Sequence, residues 1–123
     1  MSTVPDYTRF LRMLLNGGEL DSVRLLKPET VQLMTQNQIG GLNNQFGVHG
    51  DKFGYGFGVV TAAGKDKSPA SVGSYSWGGI WNTFFWVDPE KQMVGVVMTQ
   101  LYPFGHLSLW ADFQKRAYEA VGE

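Results

Sequence analysis

The chain has 123 residues, a formal net charge of −1 and a hydrophobic fraction of 43%, which suits one unit that buries roughly two-thirds of its unfolded surface. Near-neutral charge without a lysine or arginine cluster gives no electrostatic footing for nucleic acid or an anionic membrane. With no cysteine, a disulfide framework, a thiolate nucleophile and Cys-ligated zinc are excluded, while the redox compartment stays open.

The first stretch, Met1 to Phe10, lacks the basic start and apolar run of a signal peptide, and no segment reaches the length needed to cross a bilayer. Thr3 with Asp6 resembles a capping box, Pro5 fits a first turn, and Tyr7, Phe10, Leu11, Leu14 and Leu15 recur at helical spacing. These features predict a helix from about Val4 to Asn16, ended by Gly17-Gly18. A hairpin-like link from Glu19 to Leu26 turns near Asp21-Ser22, and Lys27-Pro28-Glu29 opens a second helix carrying Val31, Leu33 and Met34. Asn37 to Lys52 reads as a loop. Phe53–Ala62, Ser71–Trp77, Trp81–Val87 and Gln92–Gln100 are β-branched and aromatic runs, and the Asp88-Pro89-Glu90-Lys91 break predicts antiparallel pairing of the last two. A closing helix from about Leu107 to Val121 puts Leu109, Trp110, Phe113, Ala117 and Tyr118 on one side. The expected fold class is α+β, a single domain over 1–123 with three to four antiparallel strands packed by helices.

Several motifs have bland readings that outweigh functional ones. Gly54-Tyr55-Gly56-Phe57-Gly58 lacks the lysine of a phosphate loop and the spacing of a dinucleotide fingerprint, so its glycines point to close backbone packing. His49 and His106 lie far apart and outside any metal-ligand spacing; each reads as a lone surface or loop histidine. The carboxylates fall mostly at caps, turns and exposed helix positions, and nothing in their spacing recommends a paired general acid and base. No metal or cofactor is implied. The informative stretch is Ser76-Trp77-Gly78-Gly79-Ile80-Trp81-Asn82-Thr83 with the hairpin that follows. Two glycines in a strand let a ligand or another chain approach the backbone, as a substrate-lining edge requires; a bulge or tight connection is the structural alternative.

The run from Trp77 to Thr99 resembles the third motif and following hairpin of the serine β-lactamase-like family: class C β-lactamases, D,D-peptidases and β-lactamase-like carboxylesterases. Trp77-Gly78-Gly79 is similar to the esterase variant of a motif that is Lys-Thr-Gly in the lactamases. Ser2 through Leu20, Leu25 through Val31 with Met34-Thr35, and Phe53 through Gly58 resemble the neighbouring parts in order and spacing, with Lys27 standing where a serine cap is commoner. The resemblance implies a partial β-lactamase-like, transpeptidase-like fold and the carboxy-terminal part of such a hydrolase. It also implies that Ile80 N–H supplies an oxyanion donor and that Trp77, Gly78 and Gly79 line the substrate strand. Tryptophan in place of lysine removes a cation that would meet a β-lactam carboxylate, so a small ester is the expected substrate of the full-length parent, ahead of an amide.

The departures concern catalysis. No Ser-x-x-Lys occurs, since Arg24, His49, Ala62, Gly64, Asp88 and Asp112 stand three before the lysines, and no Tyr-x-Asn occurs either; Tyr75-Ser76-Trp77 is the nearest approach. A nucleophile needs its base beside it, so the chain is expected to be inactive alone, with no catalytic residue assigned. The missing part of the family sheet would leave an edge or face bare, predicting a homo-oligomer or strand exchange. Two rivals remain in view: a stand-alone aromatic binding module built on Trp77, Trp81, Phe84 and Trp86, and a true hydrolase using Ser74 or Ser76.

Overall fold

A computed structural model describes residues 2–46, 49–103 and 108–122. Helix α1 (Val4–Leu15) is followed by a two-stranded hairpin of β1 (Glu19–Leu20) and β2 (Val23–Arg24), then α2 (Pro28–Met34). The main sheet contains β3 (Lys52–Phe53), β4 (Gly58–Val59), β5 (Tyr75–Gly79), β6 (Thr83–Asp88) and β7 (Met93–Val97), antiparallel throughout and in chain order. Helix α3 (Leu109–Val121) ends the described chain; its expected start at Leu107 lies outside the described residues. The architecture is α+β, as the sequence predicts.

Local chemistry explains the element ends. The Thr3 hydroxyl accepts from Asp6 N–H and donates to the Asp6 carboxylate, so aspartate completes the cap. Lys27 caps α2 without a side-chain hydrogen bond, leaving Pro28 in the first turn to set the start. Asp21 and Ser22 take φ of 52° and 65°, the paired left-handed conformations of a two-residue hairpin turn.

The sheet has five strands where three to four were expected, because the run from Phe53 does not continue as one strand. Gly54 N–H bonds back to Phe57 C=O, Gly56 adopts φ 92°, and the chain reverses between β3 and β4. A side chain at Gly54 would collide with the Met34 carbonyl oxygen, so this turn is pressed against the end of α2. A 3-10 segment, Ala62–Lys67, links β4 to the next stretch and has no counterpart in the sequence reading. Its approach is held by Asp51, whose carboxylate accepts from the Thr61 N–H and hydroxyl.

Strand alternation divides the side chains between two layers. Tyr75, Phe85 and Val87 join Leu11, Met13 and Leu14 of α1, with Phe57, Val59 and Val31, in the main core. On the opposite face Phe84 stacks on Trp110 and on Trp86, which also meets Phe113 and Tyr118 of α3. Gly95 opposes Trp86 because the indole occupies the space a Cβ would fill, 2.0 Å from its ring carbon. Asp88, fully buried at the end of β6, accepts from Tyr118 Oη at 2.6 Å and from the Ser71 and Lys91 N–H groups at 3.0 Å. This carboxylate fastens α3 and the β6–β7 turn to the sheet.

Candidate active site

The β5–β6 hairpin sets the geometry. Gly79 pairs with Thr83, Asn82 N–H bonds to Gly79 C=O, and Asn82 takes φ 62°. This is a three-residue loop with a left-handed final residue, and it places Ile80 and Trp81 at the exposed tip. Gly79 C=O therefore points toward β6. On the other side of β5, Ser74 C=O accepts from Val60 N–H and Ser76 pairs with Gly58. Alternation then directs the N–H and C=O of Gly78, and the N–H of Ile80, toward the β4 side. Yet β4 begins at Gly58 opposite Ser76, so among the described residues no strand covers Trp77, Gly78 or Gly79 on that side. The Ile80 N–H likewise meets no backbone acceptor among them.

Two clefts flank this strand end. The larger, about 820 Å³, lies on the α1 face, with Tyr7, Trp77, Phe85, Val96, Met98 and Thr99 among its walls. The smaller, about 360 Å³, lies on the other side against Phe46, His49, Trp77, Tyr102, Pro103 and Trp110. Both share Trp77, Gly78, Gly79 and Ile80, so all four predicted site residues come together. Among the described residues neither cleft is lined by Lys, Arg, Asp or Glu.

The double glycine does two different jobs. A side chain on Gly78 would press into Trp110 and the His49 Cε1 at about 3 Å, so the missing Cβ admits the protein's own rings. One on Gly79 would strike the Thr83 hydroxyl. The open feature is the backbone edge, and the glycine faces are closed.

His49 is a loop histidine, as one of the two expected readings had it, but not a surface one: the residue is 6% exposed, with its ring 4.6 Å from Trp77 and also against Phe84 and Trp110. Burial pushes its pKa down to about 4, so it is neutral at pH 7. Its carbonyl accepts from Ser76 Oγ at 3.1 Å. No spacing rule marks such a loop histidine, because its packing depends on strands distant in sequence. His106 lies outside the described residues.

The candidate nucleophiles are enclosed. Ser76 spends its hydroxyl proton on that carbonyl, and Ser74 is buried with no hydrogen-bond partner. Tyr75 points into the main core against Phe57, where burial raises its pKa. At the far end of the strand, Tyr118 is pushed up by burial and by the adjacent Asp88 carboxylate. Burial alone would raise Asp88, but hydrogen bonds from Tyr118, Lys91 and Ser71 more than offset this and hold it below the usual carboxylate range. The aromatic-module reading loses two of its members, since Phe84 and Trp86 are buried beneath α3 and only Trp81 of the four is exposed.

An antiparallel sheet between helical layers, with a Trp-Gly-Gly strand end beside a neutral cleft, defines a member of the β-lactamase-like class. The chain belongs to the Beta-lactamase family, whose family model matches residues 1–117, and it carries the carboxy-terminal part of that fold. It is 36% identical over 111 residues to two proteins of Mycobacterium tuberculosis, Protein Rv1367c of strain H37Rv and uncharacterized protein MT1414 of strain CDC 1551, covering 83% of this chain. The chain spans 28% of the length of these curated relatives. Among solved structures it is similar to EstCE1, described as a hydrolase with promiscuous acyltransferase activity, at TM-score 0.72 and 24% identity over 95% of this chain and 29% of that one.

Proposed function

We propose that this chain forms the oxyanion wall and substrate cleft of an ester-cleaving acyl hydrolase, and that it does not turn over substrate by itself. The observation that carries the reading is that no strand among the described residues covers β5 at Trp77–Gly79, where alternation turns the Gly78 N–H outward and the Ile80 N–H follows, while these residues line both clefts. Backbone N–H groups fixed in place can stabilise a developing oxyanion without reorganising. The neutral linings favour an uncharged acyl ester over a carboxylate-bearing β-lactam. EstCE1's description as a hydrolase with acyltransferase activity agrees with acyl chemistry for the family member as a whole. Silence of the chain alone is expected because Ser74 and Ser76 are sealed from solvent and the Ser76 hydroxyl proton is spent on the His49 carbonyl.

The reading extends to association. Strand β7, Met93–Val97, has a paired side toward β6 and no strand on its outer side among the described residues, and its sequence holds no charge or proline. Such an edge invites pairing with a second copy. Size-exclusion chromatography at micromolar concentration is expected to show dimers or larger species; a monodisperse monomer refutes this extension.

The test of the chemistry is hydrolysis of p-nitrophenyl acetate and butyrate by the chain and by its Ser74→Ala and Ser76→Ala variants. All three are expected to match the buffer rate. Multiple turnover that either alanine abolishes overturns the silent-wall reading in favour of an unorthodox hydrolase.

A further inference from the structure

The smaller cleft has a feature that the oxyanion reading leaves unused. His49 is enclosed by rings yet makes no side-chain hydrogen bond among the described residues, and its Nδ1 is sealed from solvent without a partner. An unpaired buried nitrogen costs free energy and in a native protein calls for an explanation. Orphaned N–H groups are rarer than under-satisfied acceptors. The lower-cost arrangement therefore leaves the bare lone pair at Nδ1 and puts the proton on Nε2. Of the two ring nitrogens only Nδ1 is sealed, and the ring lines the cleft, so Nε2–H is the donor that a ligand there can reach.

The walls define the ligand's other half. Phe46, Trp77, Tyr102 and Trp110 surround the cleft with Pro103, and no charged side chain joins them among the described residues. Flat apolar walls with one hydrogen-bond donor match a ring bearing a single oxygen. Burial keeps His49 neutral at pH 7, which suits an uncharged oxygen rather than a carboxylate. The cleft also shares Gly78, Gly79 and Ile80 with the larger one, so a molecule seated in it adjoins the edge that would hold an acyl oxyanion.

We propose that this cleft is an aryl-alcohol subsite, in which His49 Nε2–H donates to the hydroxyl or ester oxygen of an aromatic alcohol packed among Phe46, Trp77, Tyr102 and Trp110. The assignment rests on the acyl-hydrolase reading for its place in a reaction, whereas the binding itself does not. It divides an ester between the two clefts: the alcohol side beside His49, the acyl side against the α1 face. His49 is then a specificity residue of the wall.

The experiment is NMR titration of the whole chain with benzyl alcohol and with toluene, followed through side-chain ¹⁵N signals of His49 and the indole signals of Trp77 and Trp110. The wild-type imidazole is expected to report an Nε2-protonated tautomer at pH 7. Benzyl alcohol is expected to bind saturably in the millimolar range and to shift Nε2, with toluene at least about fivefold weaker. His49→Phe keeps a flat aromatic ring, somewhat larger, but removes the donor, and is expected to reverse that preference. An Nδ1-protonated tautomer, no saturable shift, or the same alcohol preference in His49→Phe each overturns the proposal. The wild-type measurements decide the matter even where the variant does not fold. Ester turnover is not read here, so failure of the subsite and failure of the hydrolase reading are separate results.

Discussion

The two ends of strands β5 and β6 are built on opposite principles. At the Asp88 end the packing is closed: the carboxylate takes three hydrogen bonds, Trp86 fills the space left by Gly95, and Tyr118 ties the last helix down, although Ser74 Oγ and Trp86 Nε1 are buried there without a partner. At the Trp77–Asn82 end the backbone edge is uncovered, Ile80 is 63% and Trp81 50% exposed, and His49 Nδ1 lacks a partner. A fold under selection for stability alone has no reason to leave the second end unfinished, and functional sites are where such consistency is relaxed. The contrast separates what holds the sheet together from what the sheet holds ready.

Substitutions can break that contrast in order of size. Trp86→Ala opens the α3 interface and is expected to cost about 3–5 kcal/mol, read as a lower urea midpoint. Tyr118→Phe removes a hydrogen bond to a buried carboxylate, worth about 1.5–3 kcal/mol, and α3 amides are expected to lose protection first. The acid response sharpens the comparison by isolating His49. Its folded pKa, about 4, lies below the ordinary 6.5, so between those values the unfolded chain binds the proton and the folded chain does not. Stability is therefore full above pH 6.5 and declines as pH falls toward 4, by on the order of 3 kcal/mol. His49→Phe is expected to flatten the decline in that window, leaving the loss at lower pH that follows from Asp88 being held below the usual carboxylate range. The smallest effect belongs to the tip: Trp81→Ala is expected to stay within about 0.5 kcal/mol of the parent, and a larger loss would mean that the strand end supports the fold.

The contrast also explains what could be read in advance. Helical spacing and capping located α1 and α2 closely, and β-branched runs located the hairpin of β6 and β7, because those signals are local. The Trp-Gly-Gly strand was singled out through family resemblance, and Trp77, Gly78, Gly79 and Ile80 line the walls of both clefts. Asp88 gave no sign of burial, since a turn aspartate before proline looks solvent-facing until Ser71 and Tyr118 arrive from both sides in sequence. His49 was invisible for the same reason: three rings from separate segments, not its neighbours in the loop, determine its environment. The break between β3 and β4 depends on Gly54 meeting α2, a contact that periodicity does not encode.

Amide hydrogen exchange along β5 is the most direct test of the open edge. The predicted result is alternation: Trp77 and Gly79, turned toward β6, exchange slowly, while Gly78 and Ile80 exchange at least about a hundredfold faster. Uniform protection from Trp77 through Ile80 would mean that the edge is covered, and the oxyanion wall would be lost with it.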